Sequence, residues 1–129
     1  MGAVKSITHS YTWNEYLFWY IERKDIKNIE WVLDNKPDII DKPLTVNYKT
    51  TPLHRAAVNG SLEICQLLIE KYSATVDCLT ENGETALMGA AKRDHIEIVR
   101  YLLTMGADPD KVSGCGLIPV DYAILSGFY

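Results

Sequence analysis

The side chains with reactive potential in this sequence are three imidazoles, His9, His54 and His95, and three thiols, Cys65, Cys78 and Cys115. Imidazoles and thiolates hold zinc when they fall in short paired spacings, and a cysteine turns nucleophilic beside a base or a cation. Neither arrangement is present. His9 and His95 have no ligand spacing to His54, the cysteines form no close pairs, and there is no phosphate-loop or serine-nucleophile pattern. The carboxylates Glu30, Asp34, Asp38 and Asp41 lack the spacing and the glycine of a calcium loop. No enzyme activity, cofactor or metal is therefore expected. Met1-Gly2-Ala3-Val4-Lys5-Ser6 does fit a chemical motif, N-myristoylation at Gly2 after methionine removal. One acyl chain with few cations nearby gives only weak, reversible membrane association.

The bulk properties narrow the field further. With 129 residues, 47% of them apolar, the chain suffices for one folded unit. A net charge of -4 disfavours a general nucleic-acid binder, which needs clustered Lys and Arg to neutralise phosphates. An odd number of thiols suits a reducing compartment. No apolar run is long enough to span a bilayer, and no secretory core stands near the start. The expected location is the cytoplasm, with a peripheral membrane fraction if Gly2 is acylated.

The elements follow from repetition. Thr51-Pro52-Leu53-His54-Arg55-Ala56-Ala57 returns 34 residues later as Thr85-Ala86-Leu87-Met88-Gly89-Ala90-Ala91. Leu62-Glu63-Ile64-Cys65-Gln66-Leu67-Leu68 returns as Ile96-Glu97-Ile98-Val99-Arg100-Tyr101-Leu102. A period of this length marks a solenoid of helix pairs. Thr85 caps a helix that runs to about Lys92, and a second helix covers about Ile96 to Thr104, ended by Gly106. The preceding unit has helices over about Pro52–Asn59 and Leu62–Lys71. Its end, Lys71-Tyr72-Ser73-Ala74, is one residue longer and lacks the glycine, so an irregular helix end is expected there. Upstream, Thr12-Trp13-Asn14-Glu15 has the form of a capping box. Helices over about Trp13–Arg23 and Ile26–Asn35 then keep the apolar register. Downstream, Pro119 opens a last first-helix. The last unit is either cut from a longer array or a half-repeat lid; Phe128 and Tyr129, apolar where a natural cap would be polar, favour a continuing array.

Thr51-Pro52-Leu53-His54, Ala56-Ala57, Asn59-Gly60 and the later Gly83, Thr85, Leu87, Ala90-Ala91, Leu102-Leu103 and Gly106-Ala107-Asp108 together resemble the ankyrin-repeat family. The clear resemblance covers residues 46–127. It implies an all-α solenoid of helix pairs with projecting, hairpin-like fingers. The division is a flexible arm over 1–11, a degenerate unit over 12–45, full units over 46–79 and 80–112, and a partial unit over 113–129. It also implies that Thr51 and Thr85 cap first helices and that His54 hydrogen-bonds locally between loops. Met88 and Asp121 occupy the His54 register. Lys49 stands where the finger glycine belongs, so the first full finger is expected to be remodelled.

The family implies a protein or peptide partner held on the concave side, by fingers and first helices. The residues there with little duty to the fold are Tyr48, Lys49, Arg55, Asn59, Glu81, Glu84, Lys92, Arg93, Trp19 and Tyr122. Arg55, Lys92 and Arg93 with Tyr48 form a basic and aromatic strip within an acidic protein, suited to an acidic or aromatic-bearing peptide. The alternative is a structural or regulatory segment that packs against another domain of a longer polypeptide. The aromatic cluster Trp13, Tyr16, Phe18, Trp19, Tyr20 and Trp31 reads as a bulky end cap or as an apolar docking patch. Mass spectrometry of the native protein tests the Gly2 reading: an acylated N-terminal peptide supports it, and an unmodified Gly2 ends it.

Overall fold

The computed structural model describes residues 11–44 and 50–127. Among the described residues seven α-helices run in chain order: α1 Trp13–Glu22, α2 Ile26–Asn35, α3 Pro52–Val58, α4 Leu62–Gln66, α5 Ala86–Lys92, α6 Ile96–Thr104 and α7 Pro119–Leu125. A short 3-10 turn, Pro37–Ile39, follows α2, and a π-helical turn, Leu67–Lys71, continues α4. No strand occurs among the described residues. Gly2, Tyr48 and Lys49 lie outside them, as does most of the first finger.

The helix starts are set by side chains that satisfy orphan backbone donors. Thr12 Oγ1 accepts from Glu15 N–H, and the Glu15 carboxylate accepts from Thr12 N–H, both at 3.1 Å. Thr51 Oγ1 accepts from His54 N–H at 3.2 Å, and Thr85 Oγ1 from Met88 N–H at 3.4 Å. Pro52 stands in the first turn of α3, where its missing N–H costs nothing. Helices α2 and α6 have the expected limits. Helix α1 stops one residue early, with Arg23 as its cap, and α3 stops at Val58, with Asn59 as its cap.

The irregular end expected after Leu62–Lys71 takes a definite form. Ala74 N–H donates to Leu68 O, and Ala107 N–H donates to Leu102 O, each at 2.9 Å. The two bonds are equivalent, but one more residue lies inside the first. The π turn absorbs that residue. Ser73 takes the left-handed conformation (φ 57°) that Gly106 adopts in the next unit (φ 95°).

Helices α1, α3, α5 and α7 pack in one row and α2, α4 and α6 in a second, each unit contacting its neighbours. Leu17, Ile29, Leu33, Leu53, Ile64, Leu68, Leu87, Ile98 and Leu102 fill the space between the rows. Ala56, Ala57, Ala90 and Ala91 let the inner helices approach closely. At the N-terminal end Trp13 packs on Trp31 (5.2 Å between centroids) and Tyr16 stacks on Tyr20 (6.4 Å). Rings cover this end where the interior units use alanine.

The turn after the first helix of each unit carries one left-handed residue at a constant register: Lys24, Gly60, Asp94 and Gly127. At Gly60 the requirement is double. Its φ is +76°, and an added Cβ would lie 2.7 Å from the His95 ring of the next unit. That ring donates through Nε2 to Val58 O at 3.0 Å, so it cannot retreat without losing a bond between units. Gly60→Ala should destabilise the fold by about 1–3 kcal/mol in urea unfolding.

Candidate partner-binding site

Two fingers are described in full, and they close in the same way. Thr80 N–H donates to Glu84 O (2.9 Å) and Ser113 N–H to Leu117 O (2.8 Å). Gly83 and Gly116 occupy the left-handed position in each (φ 72° and 86°). Gly114 N–H donates to Asn82 O at 3.1 Å, which joins one finger to the next. A Cβ on Gly114 would meet that same carbonyl oxygen at 2.4 Å, so the pairing needs glycine there. Glu81, Asn82, Gly83, Glu84, Gly114 and Cys115 line a groove of about 600 Å³ along the fingers.

Beside this groove lies a polar cluster drawn from three successive units. Glu84 is its centre. One carboxylate oxygen faces His54 Nε2 at 3.5 Å. The other accepts from the Tyr122 hydroxyl at 3.0 Å and faces Lys92 Nζ at 3.5 Å. The Lys92 ammonium also sits 5.1 Å from the centre of the Tyr122 ring. The His54 imidazole, the Tyr122 hydroxyl and the Lys92 charge hold the Glu84 carboxyl down to about 2 from its ordinary 4.5, against the opposing effect of burial. The Tyr122 hydroxyl is also 2.9 Å from Ser113 Oγ and 3.4 Å from Cys115 Sγ. The Ser113 and Tyr122 hydroxyls lower the pKa of the exposed Cys115 thiol, whereas burial pushes that of Cys65 up to about 12. Cys65 is a core residue, as its helical position predicted.

A second pair flanks the cluster. Arg55 donates to the Glu22 carboxylate of the preceding unit, and Asn59 Nδ2 donates to the same carboxylate at 3.4 Å. The Arg55 guanidinium sits 5.7 Å from the centre of the Phe18 ring.

These contacts alter what the sequence alone implied for several residues. His54 faces the next unit's Glu84 rather than a local partner, and both of its ring nitrogens are buried without a hydrogen-bond partner. In the same register Met88 Sδ accepts from Thr85 N–H and Asp121 accepts from Ile118 N–H, so both turn back onto their own helix starts. Two of the three strip cations, Arg55 and Lys92, have carboxylate partners inside the chain. Arg93 and Glu81 are exposed, and Trp19 is half-buried against Tyr11. Tyr122 is only 6% exposed, so its hydroxyl serves the cluster more than the surface. Ser113 was not singled out in the sequence, and a lone serine in a finger carries no signal that would have marked it. Among the described residues no group of His, Cys, Asp or Glu is arranged to hold a metal, and no helix is long and apolar enough to cross a membrane.

The family description "Ankyrin repeats (3 copies)" matches residues 17–113. The chain belongs to the ankyrin-repeat family. The ankyrin-repeat fold is a non-catalytic scaffold, and its general role is protein–protein interaction. The chain is 35% identical over 92 residues to Ankyrin repeat and SAM domain-containing protein 6 of Mus musculus, covering 71% of this chain and 10% of that protein. It is 39% identical over 69 residues to Protein phosphatase 1 regulatory subunit 27 of Homo sapiens, covering 54% of this chain and 44% of that one. Over 59 residues it is 42% identical to Ankyrin repeat and SOCS box protein 2 of Bos taurus, covering 46% of this chain and 9% of that one. The ankyrin-repeat chain thus spans about a tenth of the mouse protein and less than half of the phosphatase subunit.

The Glu84 cluster makes stability depend on pH in a defined window. A carboxyl whose folded pKa is depressed stabilises the fold fully above its unfolded pKa, and that stabilisation is lost as pH falls through the folded one. Glu84→Gln should therefore be less stable than the parent by about 2 kcal/mol at neutral pH. That difference should shrink as pH drops from 4.5 towards about 2. Urea unfolding of both proteins across that range checks it.

Proposed function

We propose that this chain binds a partner protein through the concave surface made by its fingers and by α1, α3, α5 and α7. The observation that carries this reading is the convergence of His54, Glu84, Lys92 and Tyr122, from three units, beside the groove lined by Glu81, Asn82 and Gly114. Charged and aromatic groups held in fixed geometry at the edge of an open groove are suited to recognition. Glycines at the finger positions let a partner's backbone come close. The relatives agree in kind, since one is by name a regulatory subunit of protein phosphatase 1.

The partner segment is acidic in this reading, and its mode of capture follows from the ion pairs. Arg93 is exposed and available to a carboxylate. Arg55 and Lys92 would exchange Glu22 and Glu84 for the partner's carboxylates, so each new contact replaces an existing one. Discrimination between partners would then exceed the net gain in affinity. Tyr48 and Lys49 belong to the preceding finger and would extend the same row.

The test is the affinity of a purified partner, isolated from its native complex, for single-site variants. Arg93→Glu and Lys92→Glu should each weaken binding by roughly tenfold or more. Glu63→Ala, on the exposed side of α4, should leave it unchanged. Loss of binding in the α4 variant with retention in the other two would refute the concave reading.

A further inference from the structure

Gly89 stands where the flanking units carry Arg55 and Tyr122, so α5 has no side chain at this register. The His54 ring packs into the space. A Cβ on Gly89 would lie 3.1 Å from its Nε2. Set on that bare backbone, His54 is 8% exposed, and neither ring nitrogen has a hydrogen-bond partner. Buried polar atoms without a partner are rare in folded proteins. Here the unpartnered atom points at a carboxylate: Nε2 faces one oxygen of Glu84 at 3.5 Å. The other Glu84 oxygen faces Lys92 Nζ, also at 3.5 Å. One carboxylate thus stands between an ammonium and an imidazole that a proton would charge.

The three groups differ in their freedom to move. The Glu84 side chain is 14% exposed and that of Lys92 41%. Lys92 can swing to a carboxylate outside the chain, and Glu84 cannot follow it into water. Removing the cation from a carboxylate so placed leaves its charge uncompensated, which is costly. A proton on His54 offsets that cost, because the imidazolium already lies against the same carboxylate. Other charged groups do not intervene. Helix α3 packs against α1, α4, the π turn and α5. On α1, Glu22 is bound to Arg55 and Asn59. On α4, Glu63 is exposed and Cys65 lies in the core. On the π turn, Glu70 is bonded to Tyr101 and Lys71 to Glu30. Among the described residues Glu84, from the finger that leads into α5, is the charged group in contact with His54.

We propose that His54 and Lys92 compete for the Glu84 carboxylate, so that an acidic partner which draws Lys92 away is bound together with a proton taken up by His54. This rests on the concave, acidic-partner reading above and adds its regulation. Binding and protonation are linked, and each promotes the other by the same factor. Affinity for an acidic partner therefore rises as pH falls through the range in which imidazoles titrate, roughly pH 8 to 5. The partner's carboxylates stay ionised across most of that range.

The first test needs no partner. Proton NMR of the His54 ring through a pH titration of the full chain gives the midpoint of its protonation. Lys92→Met removes the competing cation at a partly exposed position and should raise that midpoint by about half a pH unit or more. Arg93→Met, at the exposed neighbouring position, should leave it nearly unchanged. Glu84→Gln should lower it, and in that background Lys92→Met should have little further effect. An unchanged midpoint in Lys92→Met overturns the proposal, as does a rise that persists in full when Glu84 is replaced. The second test uses the purified partner. Calorimetry in two buffers of different ionisation enthalpy should show net proton uptake near neutral pH. Affinity should be roughly three- to tenfold higher at pH 6 than at pH 8. Lys92→Met should remove both effects. Binding that takes up no proton and is independent of pH overturns the proposal and leaves the concave reading intact. Failure of the concave reading shows separately, as an affinity that Arg93→Glu does not change.

Discussion

Ala56 and Ala57 on α3 and Ala90 and Ala91 on α5 bring the inner helices together with almost no side chain between them. The rest of the structure depends on that close approach. No helix pair of this length can bury its own apolar stripe, so each unit is folded only to the extent that its neighbours cover it. The small residues keep the row tight enough for Leu53, Ile64, Leu68, Leu87, Ile98 and Leu102 to form one continuous layer. Gly89 shows how little room is left. A Cβ there would meet the Val58 side chain at 2.8 Å and His54 Nε2 at 3.1 Å.

The same spacing creates the polar connections between units. Once the inner helices are this close, a carboxylate at the base of one finger reaches groups from the units on either side. Glu84 meets His54 behind it and Tyr122 ahead of it. On the outer row, Lys71 donates to Glu30 at 2.7 Å, and the Tyr101 hydroxyl donates to Glu70 at 2.6 Å. Such pairs add little where they are exposed. Their larger effect is on register, because each holds one unit at a fixed rotation to the next. The polar groups around Glu84 are therefore held by contacts between units rather than within one.

Much of the architecture was legible because caps and stripes are local. The α2 and α6 limits, the capping box at Thr12 and the Thr51 and Thr85 caps all follow from residues within one helical turn. The extra residue before Ala74 was visible as an irregularity, but its resolution into a π turn required knowing which bond stays constant. The candidate site was legible by position only. Arg55 and Lys92 could be placed on the concave side from the repeat, yet the partner of Arg55 is a residue of the preceding unit, Glu22. A sequence shows that both charges exist, but not that they are within reach of each other.

By itself, then, the sequence determined the repeat, its period, the helix pairs and the residues buried within each pair. These depend on periodicity and backbone capping, which act over a few residues. Only the tertiary structure decided which charges neutralise one another, why Tyr122 turns its hydroxyl inward, and which apolar residues remain uncovered between α6 and α7. Those outcomes depend on distances between units, set by helix packing in three dimensions. Val120 and Leu87 share a register in the repeat and a similar chemistry, and differ only in whether another helix lies over them.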